Sequence, residues 1–157
     1  MLASVIQWLI FLAAIGSGLM AGLYFAFSNS VMPALAKMPA AQGVAAMNHI
    51  NVIIQNPLFL LAFMGTALIA LLLAVAALAG LTAQPSRVLI AAALFLAGNI
   101  AVTIGVNVPM NNALAAAAGS AQESALWADY LSRWVFWNHV RAFSCVAAMA
   151  GFIAALL

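Results

Sequence analysis

The sequence predicts an all-α integral membrane protein, a four-helix bundle with additional interfacial helices on one side. Three observations carry that prediction. Of the 157 residues, 69% are hydrophobic and 4% charged, against about 45–50% and about 25% in soluble domains. Four apolar runs, at about 3–27, 57–81, 88–108 and 135–157, each approach the ~20 residues that a helix needs to cross ~30 Å of hydrocarbon. These runs are continuous and rich in Ala and Leu, unlike the alternating ~10-residue segments of a membrane barrel. Residues 1–157 therefore make one transmembrane domain, and the cell (inner) membrane is its expected location.

Span one has no basic residue before Lys37, so it lacks the positive leader of a cleaved signal peptide and reads as a retained helix. Within it, Gly18 and Gly22 offer a small-xxx-small face for helix contact. The connection to span two contains a helical stretch at 41–55, closed by Asn56 as cap and Pro57 as the first residue of span two, where a missing N–H costs nothing. A short loop, Thr82–Arg87, leads into span three, and Pro109 is expected to break that span from the second long connection. No proline or glycine occurs between Gln122 and Val140, so one helix should run from about 121 directly into span four. "MPALA" at Met32–Ala36 and "MNNALA" at Met110–Ala115 answer each other weakly at an offset of about 80 residues, the pattern of a duplicated two-helix unit.

An even number of spans places both termini and the 82–87 loop on one side, A, and both long connections on the other, B. Arg87 on side A against Lys37 and Arg133 on side B is too small a difference to orient the chain. A net charge of +2 from four basic residues gives no basic patch and excludes nucleic acid as a partner. The single cysteine, Cys145, excludes an intrachain disulfide and a cysteine-based zinc cluster. Lipid bilayer and a small hydrophobic ligand are the expected partners, and assembly with further copies of the chain is compatible with such a bundle.

Polar residues are uneven along this topology. Ser28, Asn29 and Ser30 end span one, while Asn48, His49, Asn51, Gln55 and Asn56 precede span two. Asn107, Asn111 and Asn112 end span three, and Trp134, Trp137, Asn138, His139 and Arg141 begin span four. All lie at side B. Longer loops alone would gather polar groups there, but solvated loops generally use charge, whereas repeated carboxamides suit a partly buried network that both donates and accepts. Asn99, Thr103 and Asn107, four residues apart, form a ladder down one face of span three, either as interhelical hydrogen bonds or as the wall of a cavity.

On span four, Trp127, Tyr130, Trp134, Trp137, Asn138, Arg141 and Cys145 fall within one helical face, whereas His139 lies roughly 160° from Arg141 at 100° per residue. Indoles with a guanidinium suit a flat, conjugated ligand bearing an anionic or carbonyl oxygen. An interfacial aromatic belt and a snorkelling arginine are the structural alternatives. The candidate binding residues are Asn51, Gln55, Asn56, Asn107, Asn111, Trp127, Trp134, Trp137 and Asn138. Binding of a lipid, quinone or similar amphiphile without catalysis accounts for the same residues. So does a haem or copper protein using His49 and His139 with Met32, Met38, Met47 and Met110 near them in the topology, although no metal-binding spacing such as His-x-x-His is present.

"FSNSVMPAL" (Phe27–Leu35), "MNHINVIIQNPLF" (Met47–Phe59), "NVPMNNAL" (Asn107–Leu114) and "WADYLSRWVFWNHVR" (Trp127–Arg141) resemble the landmarks of the anthrone oxygenase family of small four-helix membrane proteins. The resemblance runs in order through most of the chain. It implies a monooxygenase that oxidises an anthrone- or phenol-like substrate with O₂ as co-substrate and no resident cofactor. Such chemistry needs a base near neutral pKa and a cation or hydrogen-bond donors for the developing oxyanion. His139, with His49 second, matches the base by side-chain type, and Arg141 with the asparagines matches the oxyanion site. The catalytic expectation is therefore His139 and Arg141, subject to whether the helix bends enough to bring both into one pocket.

Overall fold

The computed structural model describes residues 1–157 and is all-helical. Helix α1 spans Leu2–Leu35, α3 Pro57–Leu78, α4 Pro85–Ala117 and α5 Glu123–Leu156, and all four are long and apolar enough to cross a membrane. A shorter helix, α2, covers Ala40–Ile53 between the first two spans. The chain is thus a four-helix transmembrane bundle with one extra helix at side B. Asn56 caps α3 as expected, its side-chain oxygen accepting from Phe59 N at 3.0 Å, with Pro57 first in the helix. Helix α5 is continuous through Val140, with no π turn to shift its phase.

Packing runs α1–α5–α4–α3 and back to α1, so each span lies between two antiparallel neighbours. Close approach depends on small residues. A Cβ on Gly16 would collide with Thr66, one on Gly98 with Ser144, and one on Gly151 would stand 2.9 Å from the Ala91 methyl. The Gly18 and Gly22 pair expected from sequence does not form this contact. Gly22 faces outward with nothing within 4 Å, and Gly18 meets only the flexible end of Met149. The buried face of α1 instead runs through Ala13, Ser17, Ala21, Tyr24 and Ser28, which rotates Gly22 towards lipid.

Pro109 does not end the third span, because α4 continues through it to Ala117. A π-helical turn, Thr103–Asn107, comes immediately before. Widening the coil there relieves the clash between a proline ring and the carbonyl four residues back, which is what breaks a regular helix. The same device precedes Pro33, where α1 holds a π turn at Phe27–Val31. Pro33 and Pro109 therefore share one backbone solution. Further π turns lie at Leu61–Gly65 in α3 and Leu96–Ala101 in α4.

Two apolar cores result. A large one fills side A and the middle of the bundle around Ile10, Leu73, Phe95 and Phe152. A smaller one at side B gathers Met32, Val44, Met47, Leu114, Trp127, Tyr130 and Trp134 beneath α2. Helix α2 docks through Gly43, where an added Cβ would stand 2.8–3.1 Å from the Trp127 indole. Gly43→Leu is expected to lift α2 and destabilise the fold by about 1–3 kcal/mol, the usual cost of overpacking, whereas Gly22→Ala should stay within about 0.5 kcal/mol. Thermal unfolding in detergent checks both, and equal melting points would contradict this docking.

Candidate functional site

Between the two cores lies a polar layer at the height of the π turns. Arg141, 6% exposed, is its centre. Its guanidinium carbon sits 4.3 Å from the centroid of the Tyr24 ring and 5.2 Å from that of Trp134, so the charge is flanked by one aromatic from each core. Arg141 Nη2 donates to Asn138 Oδ1 at 2.6 Å and Nη1 to Thr103 Oγ1 at 3.3 Å. Asn138, fully buried, spends its amide on Tyr24 O and Ser28 Oγ, both at 2.7 Å. Tyr24 in turn donates its hydroxyl to Asn99 Oδ1 at 2.7 Å. Spans one, three and four are thereby tied to a single charge.

That charge faces a cavity of about 270 Å³ in the side B half of the bundle, near the lower end of small-molecule sites at ~300 Å³. Its walls are mostly apolar, with Leu23, Phe27, Met47, Phe59, Phe63 and Met64 among them, and its polar lining is Tyr24, Asn51, Gln55, Thr103, Asn107, Asn111 and Arg141. Phe59 and Phe63 stack at 5.5 Å, giving one flat aromatic wall. The π turns deliver Phe27, Phe63, Met64, Thr103 and Asn107 to the lining, a use of widened turns that recurs at functional sites.

A second network closes the outer end. Asn111 Oδ1 accepts from Tyr130 Oη at 2.8 Å and Trp134 Nε1 at 2.9 Å, and its amide donates to Asn51 Oδ1 at 3.1 Å. Helices α2, α4 and α5 are joined through this one carboxamide. On the cavity-lining residues, the buried polar atoms without a protein partner are Arg141 Nε, both amide atoms of Asn107 and the Asn51 nitrogen. Orphaned groups of this kind carry a cost of about 1–3 kcal/mol each unless a ligand or water meets them.

Of the residues expected from sequence, Arg141, Asn51, Gln55, Asn107, Asn111 and Trp134 line the cavity together. Asn138 stands behind Arg141 and orients it. Trp127 is buried in the outer core, stacked on Tyr130 at 5.7 Å, and does not reach the cavity. Asn56 is exposed and committed to its cap, while Trp137 packs edge-on to Phe136 away from the lining. His139 is the principal correction. With α5 a regular helix at this point, it is exposed on the face opposite Arg141, as a spacing of two residues requires. His49 is likewise exposed, its ring nitrogen 2.7 Å from Ala45 O, and no three His, Cys, Asp or Glu side chains gather into a metal-binding group. Tyr24 was not expected. Its signal is the spacing of Ser17, Tyr24 and Ser28 along one face of an otherwise apolar span.

A sequence model of the anthrone oxygenase family matches residues 59–151, which include most of the cavity wall and all of the Arg141 network on α4 and α5. The chain belongs to the anthrone oxygenase family. No curated protein and no solved structure matches it. For this family member, the match and the four apolar spans agree with a multi-pass membrane protein of oxygenase type.

Asn138→Ala removes three hydrogen bonds of 2.6–2.7 Å, one of them to a charge. The expected destabilisation is about 3 kcal/mol, against about 1 kcal/mol for Tyr24→Phe, which loses one neutral bond and keeps the ring over Arg141. Denaturant unfolding in micelles measures both, and the reverse order would contradict this reading of the network.

Proposed function

We propose that the chain is a membrane-embedded oxygenase that binds a planar, hydrophobic anthrone- or phenol-like substrate as its oxyanion at Arg141. One observation carries this reading. A buried guanidinium with no carboxylate beside it, and with Nε unpartnered, faces an aromatic-walled cavity. An arginine inside a bilayer costs about 2.5–3.5 kcal/mol on insertion scales, and a ligand that brings the opposite charge offsets that cost. Carboxamides, hydroxyls and a guanidinium line the cavity, a donor set that suits an oxyanion better than a metal ion and supports chemistry without a resident cofactor. The bilayer supplies the apolar substrate, and the inner cell membrane is the setting expected for it.

Loss of a methylene proton from an anthrone leaves an enolate whose charge is shared between the ring carbon and the carbonyl oxygen. Arg141 would hold that oxygen, with Asn107 and Asn51 as further donors, so the enolate is stabilised where it forms. O₂ then oxidises the carbanion. One oxygen atom becomes the new carbonyl, the other leaves as water with the two methylene hydrogens, and the substrate surrenders four electrons. No imidazole or carboxylate lines the cavity, so His139 is not the base in this mechanism; the methylene proton passes to solvent water or hydroxide, and Arg141 favours that loss by stabilising the enolate it leaves. That same absence of a dedicated base favours the second reading, a non-catalytic binder of an anionic amphiphile.

Oxygen uptake by the purified protein with a panel of anthrones separates the two. Turnover to the quinone is expected, falling about 10²–10³-fold in Arg141→Gln, the usual loss for an oxyanion donor, and unchanged in His139→Ala. Full turnover in Arg141→Gln would contradict the proposal, and binding of the panel without oxygen uptake would leave the binder.

A further inference from the structure

Arg141 poses a problem for the protein before any organic ligand arrives. The sequence contains two carboxylates, and neither reaches it. Asp129 pairs with Arg133 at 3.3 Å on the exposed side of α5, and Glu123 accepts from Gly119 N at 2.6 Å in the loop before it. Burial removes Arg141 from water, and a charge in a low-dielectric surrounding attracts a counter-ion far more strongly than one at the surface.

The unpartnered atoms around the cavity have a bias of their own. Arg141 Nε, Asn107 Nδ2 and Asn51 Nδ2 are donors, and Asn107 Oδ1 is the lone acceptor among these three cavity-lining residues. Asn107 is 1% exposed and both its amide atoms are free, so its carboxamide can turn to present N–H without breaking a bond. Three donors beside one uncompensated positive charge describe an anion site. A single buried charge selects a monovalent ion, since a divalent one would itself be left half neutralised. The cost of stripping water favours weakly hydrated ions.

We infer that, in the absence of its organic ligand, the cavity binds one small monovalent inorganic anion, of which chloride is the most common, at Arg141 with the carboxamides of Asn107 and Asn51. The anion and an oxyanion-bearing substrate then compete for the same charge. Halide or nitrate therefore acts as a competitive inhibitor of anything bound through Arg141. This site shares the cavity with the proposed oxygenase centre but requires no turnover, because it rests on the unpaired charge alone.

Chloride-35 line broadening on the purified, ligand-free protein in a zwitterionic detergent tests it. Wild type is expected to give a saturable excess linewidth that nitrate abolishes. Arg141→Gln should lose it, and Asn107→Leu, which keeps the arginine and guards against a misfolded variant, should weaken chloride binding by at least about tenfold. Arg133→Gln, an exposed pair away from the cavity, should leave it intact. No saturable broadening in wild type, or broadening equal in wild type, Arg141→Gln and Asn107→Leu, overturns the inference. Chloride binding without oxygen uptake would sink only the oxygenase reading. Turnover whose apparent KM ignores chloride would sink only this one.

Discussion

A guanidinium buried without a counter-charge is the constraint around which side B of the bundle is organised. Arg141 cannot be left bare in an apolar interior, so three spans contribute to its surroundings. Span one brings the Tyr24 ring, span three brings Thr103, and span four brings Asn138 and the face of Trp134. Hydrogen bonds and aromatic faces soften the desolvation of the ion but do not neutralise it. The remaining positive potential points into the cavity. A structural arginine would be expected to end on a carboxylate, and this one ends on two neutral oxygens, Asn138 Oδ1 and Thr103 Oγ1, with Nε unpartnered.

The backbone serves the same end. The four π turns lie in the spans that adjoin the cavity, and two of them sit directly ahead of Pro33 and Pro109. Widened turns reconcile a proline with an uninterrupted membrane helix and at the same time shift the phase of the residues beside them. On α4 that phase shift keeps Asn99, Thr103 and Asn107 on the inner face, where an unbroken ladder of regular turns would drift. Membership of the anthrone oxygenase family, established over residues 59–151, covers α4 and most of α5, whereas Tyr24 and the α2 cover lie outside the matched segment.

Much of this was legible in the residues because hydrophobicity dominates membrane architecture. Run length set the four spans, Asn56–Pro57 set the start of α3, and the absence of glycine and proline set the unbroken α5. Helical phase also placed Trp134, Asn138 and Arg141 on the inner face and His139 on the outer. What sequence could not supply was rotation between helices. Gly18 and Gly22 have the right spacing for a contact but the wrong azimuth, and the face shared by Ser17, Tyr24 and Ser28 does not say that Tyr24 meets Asn99 across the bundle. Pro109 misled for a different reason, since a π turn is a backbone choice that leaves no composition signal.

Anaerobic spectrophotometric titration of protein-bound anthrone is the most direct measurement of the central claim, because it reads the oxyanion without requiring reaction with O₂. Bound to the wild-type protein, the enolate band should emerge at a distinctly lower pH than in protein-free micelles, with the shift lost in Arg141→Gln. An enolate that forms at the same pH in the cavity as in micelles would show that Arg141 does not hold the oxyanion.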